Sequence, residues 1–148
     1  MNRAARIVAV AVAAFTATLA GAVDYRSLGD RPAVLYDAPS QKADKLFVAG
    51  RNYPFEVLVK LDLWTKVRDM NGEVAWIENK LLGERRMVMV NVPLADIRAQ
   101  PHAQAALVFE GARHLLLEAP EPAQDGWLKV RHRDGATGFV RIGHVWGD

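Results

Sequence analysis

Two stretches of the sequence place a tryptophan and two cations at alternate positions. The pattern W-x-K-V-R occurs at Trp64–Arg68 and again at Trp127–Arg131. Because side chains alternate along a β-strand, each tryptophan, lysine and arginine should share one face, with Val67, Leu128 and Val130 facing inward. An aromatic surface beside cations suits an acidic peptide or a glycan, since the ring supplies contact area at low entropic cost. The candidate ligand-binding residues of this face are Trp64, Lys66, Arg68, Trp127, Lys129 and Arg131.

A structural role for the same side chains is the alternative interpretation. In it, each tryptophan caps the open end of a small barrel, and the lysine and arginine stems lie over the ring with their charged groups in water. Both roles are compatible with one tryptophan, so the pattern alone leaves the choice open.

The residue types that carry most enzyme chemistry are absent or scattered. The sequence has no cysteine, which excludes a thiol nucleophile, a disulfide framework and a cysteine-built zinc site. Ser27 and Ser40 stand outside a G-x-S-x-G context, and there is neither an evident carboxylate pair nor a glycine-rich phosphate loop. The histidines lack the paired spacing of metal ligands: His102, His114, His132 and His144. We therefore expect a non-enzymatic protein with no cofactor and no metal.

The first 22 residues have the pattern of a secretory signal peptide. Arg3 and Arg6 form a short basic start, Ile7–Leu19 is an uncharged run rich in Ala and Val, and Ala20–Ala22 supplies the small residues of a cleavage site. We expect cleavage after Ala22 and a periplasmic or secreted product. An uncleaved membrane anchor is the alternative, although the run is short for a membrane span.

The charge balance argues against a nucleic-acid partner. Of the 19 Lys and Arg residues, Arg3 and Arg6 lie in the predicted signal, which leaves 17 against 17 Asp and Glu in the mature part. Nucleic-acid binding draws on an excess of positive charge facing phosphates. We therefore expect no nucleic-acid partner, and membrane contact only through an uncleaved signal.

The chain contains an internal duplication. The W-x-K-V-R pattern recurs after 63 residues, and the same offset carries Gly72 onto Gly135. Upstream, the offset falls to 62 near Leu35 and to 61 between Gly50 and Gly111. An ordered series of matches with such small slips indicates two copies of one unit.

Each copy reads as short β-strands separated by turns. Asn71-Gly72 and Asp134-Gly135 are strong hairpin signals, because both dipeptides tolerate positive φ. No amphipathic helix is evident in the mature part, and Glu78–Leu82 is predicted to form at most one helical turn. The predicted strands are Leu35–Tyr36, Phe55–Leu61, Trp64–Arg68, Val74–Ile77, Met87–Val92, Asp96–Arg98, His114–Glu118, Trp127–Arg133 and Gly138–Arg141.

The second copy resembles the bacterial SH3 (SH3b) pattern. Asp96–Arg98 precedes a proline loop, and Gly126–Arg131, Gly135 and Gly138–Val140 follow in the order of that family. The first copy matches more loosely, with Leu63 in place of the glycine before the tryptophan. The resemblance implies an all-β protein of two tandem SH3-like small β-barrels after the signal peptide. The expected segments are a short tail over 23–30, barrel 1 over 31–85 and barrel 2 over 86–148.

The resemblance also implies a binding function. SH3b units are usually binding or targeting modules, many of them attached to cell-wall hydrolases. In SH3-like folds the loop at Asp37–Pro39 borders the peptide site, so Tyr36, Tyr53 and Trp76 are further candidates for lining a groove; ordinary packing is the alternative.

The expected function is that of an exported module that binds cell-wall peptide or glycan. Its partner would then be peptidoglycan. One alternative is a periplasmic scaffold that recognises a peptide of another envelope protein. Another is an accessory that stabilises an envelope complex through its sheet edges.

Overall fold

The computed structural model describes residues 22–148, so nearly all of the predicted signal segment lies outside the described part. The described chain consists of thirteen short strands and two 3-10 turns, Asn79–Leu81 and Ile142–His144. No helix in this part is long and apolar enough to cross a membrane. The prediction of an all-β protein is confirmed, and the first 3-10 turn is the helical turn expected within Glu78–Leu82.

The first unit is one antiparallel sheet of six strands. Its strands are β1 (Tyr25–Ser27), β2 (Ala33–Tyr36), β3 (Lys45–Ala49), β4 (Pro54–Lys60), β5 (Trp64–Arg68) and β6 (Val74–Glu78). Their order across the sheet is β1-β4-β5-β6-β2-β3. β5 and β6 form a hairpin, and Gly72 lies in its turn at φ 90°, in agreement with the Asn-Gly signal.

The second unit repeats this arrangement with one additional strand. Its strands are β7 (Met87–Val90), β8 (Leu94–Arg98), β9 (Leu107–Ala112), β10 (Leu116–Glu118), β11 (Trp127–Arg131), β12 (Thr137–Arg141) and β13 (Val145–Trp146). The order is β13-β7-β10-β11-β12-β8-β9. β11 and β12 form the hairpin equivalent to β5 and β6, and Gly135 lies in its turn at φ 97°.

Each unit has its own hydrophobic core. Val67 is 1% exposed, and Leu128 and Val130 are fully buried, so the predicted inward face of the W-x-K-V-R strands is confirmed. A Cβ atom on Gly138 would lie 2.5 Å from Ile97, so this glycine allows β12 to pack closely against β8. The first core consists of Leu28, Ala33, Leu35, Ala49, Phe55, Val67, Ala75 and Ile77. The second consists of Val88, Val90, Ala95, Ile97, Leu117, Ala119, Leu128, Val130, Val140 and Val145.

Strand pairing corrects the repeat alignment at one place. Ala33 pairs with Ala49 in the first unit, and Ala95 pairs with Gly111 in the second. The equivalent of Gly111 is therefore Ala49, at an unchanged offset, and the predicted match to Gly50 is wrong. The single slip lies between the pairs Glu56–Arg68 and Glu118–Arg131, where β4 pairs with β5 over four residue pairs with a bulge but β10 pairs with β11 over only one.

Several strand boundaries also differ from the prediction. The sequence pattern did not predict four of the strands, β1, β3, β9 and β13. The strand β1 lies within the expected N-terminal tail and pairs with β4, so this tail is part of the first sheet. β11 ends at Arg131, two residues before the predicted end at Arg133, because the backbone turns at residues 132–135. β10 begins at Leu116 because His114 has a φ of 73°, far from an extended strand.

Short contacts join the two units. The Met87 backbone N–H donates to the Ser27 hydroxyl at 3.1 Å, and the Trp146 indole N–H donates to the Pro54 carbonyl at 3.3 Å. Tyr25 packs edge-to-face on Trp146, with ring centroids 5.3 Å apart. The second unit is thus seated against β1 and β4 of the first.

Candidate ligand-binding grooves

Three adjacent strands of the first unit bring four predicted site residues together. On the outer face of β5, β6 and β2, Tyr36 lies opposite Trp76, and Trp76 lies opposite Lys66. The Tyr36 and Trp64 rings meet edge-to-face with centroids 5.6 Å apart, and the Lys66 ammonium lies 5.8 Å from the centre of the Trp76 ring. Members of both predicted groups therefore form one aromatic cluster, which we call the outer aromatic cluster.

An open groove of about 680 Å³ lies beside Trp64. We call it the Trp64 groove. A groove of this volume can hold a few sugar or peptide residues. The β2–β3 loop forms one wall, the 3-10 turn after β6 forms the other, and Leu63 extends the aromatic surface. Leu63 is 73% exposed. The lining residues are Pro39, Ser40, Gln41, Lys42, Leu63, Trp64, Glu78, Asn79 and Lys80.

Side-chain hydrogen bonds define the two walls. The Asp37 carboxylate accepts the Asp44 backbone N–H at 3.0 Å, which closes the β2–β3 loop. The Asn79 side-chain amide donates to the Leu61 carbonyl at 2.9 Å and to the Asp62 carbonyl at 3.1 Å. Because these bonds tie the turn before β5 to the 3-10 turn, they fix the end of the groove that carries Leu63.

The Trp64 groove carries one engaged carboxylate and two lysines. Glu78 pairs with Lys80 at 2.7 Å and accepts a hydrogen bond from Gln41 at 3.0 Å. The contact with Lys80 and, to a smaller extent, the hydrogen bond from Gln41 lower the pKa of Glu78 below its usual value. Lys42 stands on the opposite wall and supplies a cation to a ligand in the groove.

The recess beside Trp127 in the second unit is much smaller, and of its lining residues only Pro101 and Trp127 correspond to residues of the Trp64 groove. Its volume is about 130 Å³, and the Arg141 guanidinium lies 4.8 Å from the centre of the Trp127 ring. Lys129 is engaged by Glu121 at 2.8 Å. The residues opposite the two tryptophans also differ, since Arg141 faces Trp127 where Glu78 faces Trp64. The chain's own arginine therefore occupies a ring face on which a ligand would stack.

The predicted binding arginines are engaged in a repeated ion pair. Arg68 contacts Glu56 at 3.0 Å, and Arg131 contacts Glu118 at 2.8 Å. Each glutamate lies on the neighbouring strand, directly opposite its arginine. These arginines lie at the far ends of β5 and β11 from the tryptophans, so they do not extend either groove.

Tyr53 lies apart from the groove that the sequence assigned to it. Its ring packs on Phe55 with centroids 4.8 Å apart, against the first core. Burial is the main reason why the pKa of Tyr53 is raised. The expected grouping of Tyr53 with Tyr36 and Trp76 is therefore wrong, because Tyr53 precedes β4 and not a strand next to β6.

The sequence reasoning missed the residues that give the Trp64 groove its walls, namely Gln41, Lys42, Glu78, Asn79 and Lys80. The replacement of a glycine by Leu63 was the one available signal that this end of the unit differs from its copy. Across residues 22–148, no three potential metal-ligating side chains cluster. His132 and Asp134 form a contact of 2.9 Å within the β11–β12 turn.

Comparison with known proteins places this geometry in a family. No curated protein matches the sequence significantly. Among solved structures, the chain is similar to NlpC2 from Trichomonas vaginalis, with a TM-score of 0.40, 14% identity and coverage of 84% of this chain and 48% of that one. It is also similar to NlpC1 from the same organism, with a TM-score of 0.39, 14% identity and coverage of 89% of this chain and 48% of that one. A third similar structure is an NlpC/P60 family protein from Bacillus cereus ATCC 10987, with a TM-score of 0.38, 14% identity and coverage of 83% of this chain and 56% of that one.

The chain spans about half the length of each of these structures. The family model of the bacterial SH3 domain matches twice, over residues 29–84 and 91–147. The two matches coincide with the two sheets and confirm the duplication. The chain therefore belongs to the bacterial SH3 domain family, as a tandem of two SH3-like units.

Proposed function

We propose that the protein is an exported, non-enzymatic module that binds cell-wall peptide or glycan, and that the Trp64 groove is its principal contact site. Bacterial SH3 domains are generally binding modules. The observation that carries the proposal is the open groove of about 680 Å³ beside the partly exposed Trp64. Its export rests on the signal pattern of residues 1–22.

The Trp64 groove offers what a sugar or a short peptide requires. Trp64 and Leu63 supply apolar surface on which a sugar ring or an aliphatic side chain can lie. Lys42 supplies a cation at the rim, while the Gln41 amide, which gives one N–H to Glu78, keeps its second N–H and its carbonyl for hydrogen bonding. A ligand with an apolar patch and acidic or hydroxyl groups therefore fits this groove better than a purely apolar one.

Co-sedimentation of the mature protein with purified peptidoglycan sacculi tests the proposal. Trp64→Ala should weaken binding about 30-fold, the loss expected when a central aromatic contact worth about 2 kcal/mol is removed. Trp127→Ala is the matched control, because Arg141 already covers that ring, and it should leave binding nearly unchanged. Thermal unfolding of both variants checks that they remain folded.

Three results would each contradict a part of the proposal. Binding to sacculi that survives Trp64→Ala in a folded protein would remove the groove from the account. Failure of the wild-type protein to sediment with sacculi, together with capture of a defined envelope protein, would favour the scaffold function instead. Recovery of unprocessed Met1 from a cytosolic fraction would contradict export.

A further inference from the structure

A second recess lies between the two units, away from both tryptophans. Its volume is about 740 Å³, and we call it the inter-unit cleft. The first unit contributes Arg51 from the turn between β3 and β4, and the second contributes Arg133 from the turn between β11 and β12. The Ser27–Met87 and Pro54–Trp146 hydrogen bonds hold the two walls together.

The inter-unit cleft carries more positive than negative charge. Four arginines and two carboxylates line it. Asp30 is engaged by Arg85 at 2.5 Å, and Glu118 by Arg131 at 2.8 Å. Arg51 and Arg133 have no carboxylate within 4.0 Å among residues 22–148. Two guanidinium groups, one from each unit, therefore remain available to an anion.

The lining of the inter-unit cleft is partly apolar. Met87, Leu115 and Leu116 line the same cleft, and the last two are partly exposed. A bare inorganic anion would leave this surface uncovered, whereas a peptide with carboxylates beside aliphatic groups would cover it. The guanidinium fork matches a carboxylate with two parallel hydrogen bonds.

The geometry points to the inter-unit cleft as a second binding site, which takes the carboxylates of an acidic peptide on Arg51 and Arg133. This inference rests on the proposed function, because it assigns the peptide part of the cell-wall ligand to the cleft. The site requires both units, since neither unit alone supplies both arginines.

Titration of the mature protein with the stem tripeptide L-Ala–γ-D-Glu–diaminopimelate, followed by NMR, tests the inference. The amide resonances of Leu115 and Leu116 should shift, and the Arg51→Ala/Arg133→Ala variant should bind at least about tenfold more weakly, as expected for lost hydrogen bonds between charged groups. Arg113→Ala is the matched control, because Arg113 occupies the position of Arg51 in the second unit and lies outside the cleft. Tripeptide with amidated carboxylates should not bind.

Three outcomes would overturn the inference: unchanged affinity of the double variant, equal binding of the amidated tripeptide, or displacement of the tripeptide by an equal concentration of inorganic phosphate. The last would mark a general anion site. Thermal unfolding verifies that the double variant is folded, and Arg133→Glu provides an independent change that should weaken binding further. Unchanged tripeptide binding by the double variant, with loss of sacculi binding by Trp64→Ala, would refute the cleft and leave the proposed function standing.

Discussion

Asn79 connects the stability of the first unit to the shape of its groove. Its side chain donates to the carbonyls of Leu61 and Asp62 and accepts a hydrogen bond from the Thr65 hydroxyl at 2.6 Å. Thr65 is 3% exposed, so its hydroxyl has little access to water. Asn79→Ala would therefore leave a buried hydroxyl without its acceptor and free the turn that carries Leu63.

The cost can be worked from these contacts. A buried polar group left without a partner costs about 1–3 kcal/mol. The two bonds to the turn are exposed, so each adds about 0.5 kcal/mol, at the low end for a hydrogen bond. Asn79→Ala should therefore lower the free energy of unfolding of the first unit by about 2–4 kcal/mol. Thr65→Val in the same background removes the orphaned hydroxyl and should recover about 1 kcal/mol of this loss.

Urea unfolding followed by NMR signals of the first unit measures these changes in a double-mutant cycle. Signals of the second unit serve as an internal control, because Ile142 occupies the position of Asn79 there and makes no such contacts. A loss below about 0.5 kcal/mol for Asn79→Ala, or no recovery on adding Thr65→Val, would refute this account of the turn.

The hairpin that carries each tryptophan was predictable from local pattern. Residues of W-x-K-V-R alternate between surface and core, and the Asn-Gly and Asp-Gly turns fix the reversal, so β5 matches its predicted bounds. β3 was missed because it is an edge strand with Leu46 and Val48 exposed at 49% and 65%, which hides the alternation. β1 and β13 are three and two residues long and owe their place to long-range pairing.

The candidate sites were predictable only in part. Sequence identified Trp64, Trp76 and Tyr36, but grouping them required knowing that β6 lies between β5 and β2. The partners of Arg68 and Arg131 were hidden because Glu56 and Glu118 lie on strands whose register no local signal sets. The inter-unit cleft depends on how two units pack, and no pattern within one unit encodes that.

Four further predictions follow from the packing. Val130→Ala should lower the stability of the second unit by about 1–3 kcal/mol in denaturant unfolding, because it leaves a cavity in a fully buried site; a negligible shift would mean that the strand phase is inverted. Trp146→Ala should let the two units tumble independently in NMR relaxation, whereas unchanged common tumbling would show that the contacts with Tyr25 and Pro54 are dispensable. Burial, followed by the nearby carboxylates, raises the pKa of Tyr25 above 10.0. The resulting contribution to the free energy of unfolding is present below pH 10.0 and is lost as the pH rises through the folded-state pKa. Tyr25→Phe should therefore reduce the loss of stability at alkaline pH, and an identical loss in the variant would contradict this. Arg141→Ala should uncover the Trp127 ring and increase its accessibility to the fluorescence quencher acrylamide, and unchanged quenching would show that Arg141 does not shield it.

The most direct test of the central claim uses the four tryptophans as internal probes. Each indole N–H gives its own NMR signal, and soluble disaccharide-peptide fragments of peptidoglycan can be titrated into the mature protein. The account predicts that the Trp64 signal shifts most and in a saturable way, while those of Trp127 and Trp146 move little, because Arg141 covers one and the unit contact engages the other. A Trp64 signal that stays in place while the fragments bind would contradict the account.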